Sequence, residues 1–217
     1  MCLVSYGITT HNEGYSIQTL LDTILNVDKN YDFEIVILDD NSTDKVTVDI
    51  LNLYNNNQNV NIKFNKFNNN FAEHKNLLNS YCTGDYIFNI DADETIDVAF
   101  VENIDTIIES NTNIELFWVP RTNIVHSLTD YHVRAWRWKI STVNWLDVPV
   151  INFPDWQGRI YKNIPDKIKW EGKIHEIIKG AKYITYLPPE KEYCIMHEKT
   201  IFKQEQQNKF YGDIFNG

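Results

Sequence analysis

The chain has 217 residues, 43% of them hydrophobic, which suits one large domain with a real core. Thirty acidic residues against 20 basic ones leave a formal net charge of −10, which argues against a protein that grips nucleic acid through its phosphates. Cys2, Cys82 and Cys194 are scattered and form no CxxC pair, so neither a disulfide framework nor a zinc knuckle is expected, and the setting reads as reducing and cytoplasmic.

The opening "MCLVSYGITTHNEG" has no basic run and no long apolar core, so no signal peptide is expected. No stretch of about 18 apolar residues exists to cross a membrane. "CLVSYGITT" (2–10) reads as a strand. "YSIQTLLDTILNV" (15–27) carries Ile17, Leu20, Leu21, Ile24 and Leu25 at helical spacing. "FEIVILDD" (33–40) is a short buried strand ending in two acids. "TDKVTVDILNLY" (43–54) is a helix that Ser42 or Thr43 can cap. "VNIKF" (60–64) is a strand, and "FAEHKNLLNSYC" (71–82) a helix closed by Thr83-Gly84. "DYIFNI" (85–90) is the next strand, "DVAFVENIDTIIES" (97–110) the next helix, and "IELFWVP" (114–120) a further strand. Beyond Pro120 helical periodicity disappears until the tail "KTIFKQEQQNKFYGDIF" (199–215), read as an amphipathic helix that packs on the domain or forms a homodimer contact. No linker rich in Gly, Ser or Pro and no internal repeat interrupts residues 1–217, so a single domain is expected.

Alternating strands and helices imply βαβ units and a mostly parallel, Rossmann-like sheet flanked by helices. Ligands of such sheets bind at the carboxyl ends of the strands. Polar groups fall there three times: Thr9, Thr10 and His11; Asp39 and Asp40; Asp91 and Asp93. One shared site explains them better than three unrelated loops. In Asp91-Ala92-Asp93, two carboxylates after a strand reach a divalent cation or a nucleotide if the chain turns, and Mg²⁺ or Mn²⁺ suits carboxylate oxygen. The plain alternative is a solvated turn that caps the next helix. "VILDDNSTD" (36–44) has more acids and hydroxyls than capping needs. A carboxylate at that strand end can accept from ribose hydroxyls or a base N–H.

Taken together, "ITTHNEGYSIQTLLDTI", "IVILDDNSTD" and "FAEHKNLLNSYCTGDYIFNIDADE" resemble, in order and spacing, a family 2 glycosyltransferase with the GT-A fold. The C-terminal half, through "FPDWQGRIYKN" (153–163), "KWEGKIHE" (169–176) and "IMHEK" (195–199), resembles the subset that includes lipopolysaccharide core glycosyltransferases. The resemblance implies an α/β GT-A domain with a nucleotide-sugar-binding half (1–98) and, on the same domain, an acceptor-binding half with the C-terminal helix (99–217). It implies a metal-dependent, inverting transfer of a sugar from a nucleotide sugar, expected to be a UDP-sugar, to an acceptor hydroxyl, with Mn²⁺ or Mg²⁺ as cofactor. Thr9, His11, Glu13, Asp40, Lys75, Asp91 and Arg159 are then expected around the donor, with Asp93, His197 and Asp91 on the metal. Glu94 is expected only to support the turn. For His197 a plain packed or surface histidine is the alternative. Glu176 is the expected base, with Asp155 second. Most of the six tryptophans are expected in the core; Trp136, Trp138 and Arg137, with Trp170 and His175, are the expected acceptor-side residues. A glycan, a lipid-linked sugar, a protein or a hydroxylated DNA base all suit as acceptor. Two rivals remain: a non-catalytic nucleotide-sugar or carbohydrate-binding module of the same fold, and a nucleotidyltransferase. The latter expects a basic, Gly-rich loop after the first strand, where "TTHNEGY" has one Gly and no Lys or Arg.

Overall fold

The computed structural model describes residues 2–216. In chain order its elements are β1 (Leu3–Thr10), α1 (Tyr15–Leu25), β2 (Asp32–Asp39), α2 (Lys45–Tyr54), β3 (Val60–Phe64), α3 (Phe71–Asn79), β4 (Tyr86–Asp91), β5 (Glu94–Ile96), α4 (Val98–Glu109), β6 (Leu116–His126), α5 (Asp130–Ala135), β7 (Ile140–Ser141), β8 (Val150–Lys162), β9 (Lys169–Glu171), β10 (Ile177–Lys179), β11 (Ile184–Tyr186), β12 (Ile195–Thr200) and α6 (Ile201–Asn216). β3, β2, β1 and β4 pair in parallel in that order. Their buried runs, such as Ile35–Asp39 and Tyr86–Ile90, follow from that pairing, since crossover helices cover a parallel strand on both faces. Antiparallel β8 then carries the same sheet on to β6, and β12 follows β6 in parallel. The second half of the chain therefore extends the first sheet, while β9 and β10 form a separate hairpin.

Each face of the sheet has its own core. Ile17, Leu20, Leu21 and Ile24 of α1 and Phe100 and Ile104 of α4 pack on Tyr6, Ile8 and Phe88. Behind the sheet, Leu78 of α3 packs with Ile87, Tyr161, Trp170 and Ile178, so the β9–β10 hairpin is bound to α3 through apolar contact. The turn into β4 depends on Gly84: a Cβ there would lie 2.7 Å from Ser5 N and 2.8 Å from Leu3 O, both backbone atoms of β1.

Four local expectations change. The cap of α2 is Asp44, whose carboxylate accepts from Thr47 N at 2.9 Å; Ser42 is occupied instead by Asp39. The tail helix begins at Ile201, because Ile195–Thr200 is a strand paired to both β5 and β6. α5, six residues long, is too short to show a helical period in sequence. Among the tryptophans only Trp170 is buried. The other five lie on outer parts of the β6–β8 region; Trp118 stacks on Tyr186 at 5.8 Å, with Trp156 edge-on to the same ring.

Candidate active site

The carboxyl ends of β1, β2 and β4 open side by side on a cavity of about 390 Å³. Parallel register sets Thr9 beside Asp91 and Thr10 beside Asp39. The loops that follow β1, β2 and β3 each contain an asparagine with left-handed backbone, Asn12 at φ 55°, Asn41 at φ 47° and Asn69 at φ 53°. Asparagine visits this region because its short side chain bonds locally. Asn12 Oδ1 accepts from Thr43 N at 2.7 Å and Asp44 N at 3.0 Å, which ties the first loop to the second.

The two acids after β2 have different surroundings. Asp39 is 1% exposed and accepts from Ser42 N at 2.8 Å, so it shapes the loop. Asp40 lines the cavity: one oxygen accepts from Phe67 N at 2.6 Å, and the other lies 3.5 Å from His11 Nδ1.

Asp91 and Asp93 are also separated. β4 ends at Asp91, and the turn at 92–93 sends the second carboxylate another way. Asp91 accepts from Arg159 at 2.9 Å and Thr9 Oγ1 at 3.2 Å, and pairs with Lys75 at 3.3 Å. Burial alone would raise its carboxyl pKa; the charges of Arg159 and Lys75 outweigh burial and hold it well below the usual range. Asp93 instead lies 3.4 Å from His197 Nε2 and 3.1 Å from Lys203 Nζ. Burial again opposes ionisation, and His197 and Lys203 together hold its carboxyl below the usual range. Glu94, 1% exposed, closes the turn by accepting from Asp91 N at 3.0 Å, and pairs with Arg159 at 2.8 Å and Arg121 at 3.2 Å.

Glu176 reaches the cavity from the β9–β10 connection, where Gly172 (φ 109°) and His175 (φ 55°) bend the chain. Phe71 N donates to Lys173 O at 3.0 Å and fastens this connection to the start of α3. Lys75 Nζ lies 2.9 Å from Glu176 Oε1 and 4.6 Å above the Trp170 ring, so one buried ammonium links Asp91 to Glu176. α6 forms the remaining wall. Its Lys203 pairs with Glu13 at 2.8 Å, and Tyr211 meets Phe71 and His175 edge-on at 5.7 and 5.6 Å.

Thr9, His11, Glu13, Asp40, Lys75, Asp91, Asp93, Arg159, Trp170, His175, Glu176 and His197 all line this cavity. Trp170 is 5% exposed and supports Lys75. Trp136, Arg137 and Trp138 follow α5 outside the lining, with the two indoles 4.8 Å apart. Asp155 also lies outside it, held by Arg121 at 2.7 Å, Gln157 at 2.9 Å and Asn123 at 3.0 Å. Burial raises its carboxyl pKa, but Arg121 and these hydrogen bonds hold it below the usual range. Sequence reading missed Arg121, Asn123, Lys203 and Tyr211. Alternation in "PRTN" signals that Arg121 and Asn123 share one face of a strand. Nothing in the tail's sequence marks Lys203 as a partner of residues 13 and 93.

A family model described as glycosyl transferase family 2 matches residues 5–174. Among solved structures, S. aureus TarS 1-349 is similar at TM-score 0.61 and 17% identity, over 91% of this chain and 60% of that one. TarS 1-349 in complex with UDP-GlcNAc aligns at TM-score 0.63 and 16% identity, over 92% and 59%. Its complex with UDP aligns at TM-score 0.61 and 15% identity, over 99% and 65%. The chain thus spans about 60% of the length of the TarS fragment it matches. No curated protein matches the sequence.

Proposed function

The chain belongs to glycosyl transferase family 2 and has the GT-A fold, and from that premise we propose that it transfers a sugar, with inversion, from a UDP-sugar to an acceptor hydroxyl. The observation that carries this reading is the convergence on one cavity of the strand-end groups Thr9, Asp40, Asp91 and Asp93 with Glu176 and His197. In support, a TarS fragment of the same fold holds UDP-GlcNAc.

In this reading Asp40, with one oxygen already held by Phe67 N, accepts from the base or ribose, and Phe67 and Phe71 offer aromatic faces to the base. Glu176 takes the acceptor proton as general base. Lys75 orients Glu176 through one oxygen, and the other accepts no hydrogen bond among the described residues. Asp155 is the poorer base, because Arg121, Asn123 and Gln157 already occupy its oxygens.

A divalent ion fits beside Asp93. Its carboxylate and His197 Nε2 converge at 3.4 Å, and the Lys203 ammonium already sits against the same carboxylate as a stand-in cation. Among the described residues no three His, Cys, Asp or Glu side chains surround one ion position. Two protein ligands, completed by water and donor phosphates, match how Mg²⁺ and Mn²⁺ are commonly held. When bound, the ion offsets charge on the leaving diphosphate. Asp91 is committed to Arg159 and Lys75 and serves this site by holding Lys75 against Glu176.

The deciding experiment is Glu176→Gln. Calorimetry should show donor affinity within a few-fold of wild type, while turnover falls by roughly 10²–10⁴-fold, the range a general base supplies. Unchanged turnover would move the base elsewhere.

A further inference from the structure

We propose that Asn123 is a positioning residue that locks the His197 imidazole in its Nδ1–H tautomer, so that the Nε2 lone pair faces Asp93. β6 and β12 run in parallel with Asn123 in register with His197. The Asn123 amide bridges two partners: Nδ2 lies 3.0 Å from Asp155 Oδ2, and Oδ1 lies 3.0 Å from His197 Nδ1. An ionised carboxylate accepts and cannot donate, so it selects the amide NH₂. The reverse orientation would set amide oxygen against carboxylate oxygen. The same Asp155 oxygen receives Arg121 Nε at 3.0 Å and Nη2 at 2.7 Å, which keeps the carboxylate in place.

The consequence passes along the chain of hydrogen bonds. With its NH₂ committed to Asp155, Asn123 presents only its carbonyl oxygen to the imidazole. That oxygen accepts and requires hydrogen on Nδ1, which leaves Nε2 as the lone-pair nitrogen of the neutral ring. In the charged ring Nε2–H faces Asp93 Oδ2 at 3.4 Å and supports its ionisation; in the neutral ring, with Nδ1–H held by Asn123, the proton given up is the one on Nε2. A lone pair and a carboxylate aimed at one another need positive charge nearby, and the Lys203 ammonium, 3.1 Å from the same Asp93 oxygen, supplies it in the metal-free protein. An outer-shell acceptor that sets a tautomer in this way typically changes metal affinity 10- to 100-fold. The tautomer is a property of this chain alone; its use for a metal rests on the reading in the previous section.

The test starts with metal-free wild type, imidazole-¹⁵N-labelled, at a pH where the His197 ring is neutral. Long-range ¹H–¹⁵N correlation, with the His197 signals assigned by comparison with His197→Gln, should show hydrogen on Nδ1. Hydrogen on Nε2 overturns the proposal, and this measurement needs no variant. Asn123→Ala should populate the Nε2–H form and weaken Mn²⁺ binding, read by calorimetry with Mn²⁺ alone, by about 10- to 100-fold. A folded Asn123→Ala that keeps both the Nδ1–H form and wild-type Mn²⁺ affinity also overturns it. Wild type that shows Nδ1–H but takes up no Mn²⁺ supports the positioning and overturns the metal reading instead.

Discussion

In and beside the cavity, carboxylates of one chemistry are put to different uses by their surroundings. Asp155 is surrounded by donors, and Asp91 by two cations. Both are held below their ordinary pKa range. The sign for Asp155 follows from linkage. A folded-state value below the unfolded one contributes stability that is complete above the unfolded value, about 3.9, and is lost as pH falls through the folded one. Asp155→Asn should therefore be less stable than wild type at pH 7, and the gap should narrow in urea titrations as pH falls below about 4. A gap that widens in acid would contradict the network. Arg159 is 2% exposed and pairs with both Asp91 and Glu94. Removing one partner of a buried pair strands the others, so Arg159→Met should cost about 3–5 kcal/mol by chemical denaturation. A loss below about 1 kcal/mol would mean that water or Lys75 replaces it.

At the scale of elements, a site grows where strand ends meet helix starts, and α6 closes it from the far end of the chain. Phe210 packs against Phe67 at 6.4 Å and Phe71 at 6.5 Å, so the helix covers the side where the nucleotide base is proposed to lie. In the first turn of α6, Lys203 places positive charge between Glu13 and Asp93. Without it those two acids face an incoming diphosphate uncompensated. Lys203→Met is expected to weaken UDP binding roughly 2–5-fold, since a half-exposed ion pair is worth about 1 kcal/mol or less. Calorimetry with and without Mn²⁺ reads this, and unaltered or tighter UDP binding would show that α6 swings away before the nucleotide enters.

At the scale of the whole molecule, the cavity draws on both halves of the chain, with Thr9, Asp40 and Asp91 from the first and Arg159, Glu176, His197 and α6 from the second. A ligand that bridges them should stabilise the fold as a unit. At about 100 times its Kd a donor adds about 2.7 kcal/mol, which for a domain of this size raises Tm by roughly 5–10 °C. A thermal-shift screen of nucleotide sugars with Mn²⁺ reads this directly; a panel of UDP-sugars without any shift would turn the donor assignment toward another nucleotide. The parallel core of β1, β2 and β4, the helices between them and the acids at their ends were legible in the sequence. Those features are local: period 3.6 or 2 in the apolar residues, and polar groups where a buried run stops. The tertiary structure decided the rest. It drew β6, β8 and β12 into the same sheet, left five of the six tryptophans half-covered on its outer parts, and turned Asp91 and Asp93 apart. It also brought Asn123 to His197, Arg159 to Asp91 and Lys203 to Glu13 across 74, 68 and 190 residues. Hydrogen bonds and ion pairs act over a few ångströms in space, and only the folded sheet brings such distant residues that close.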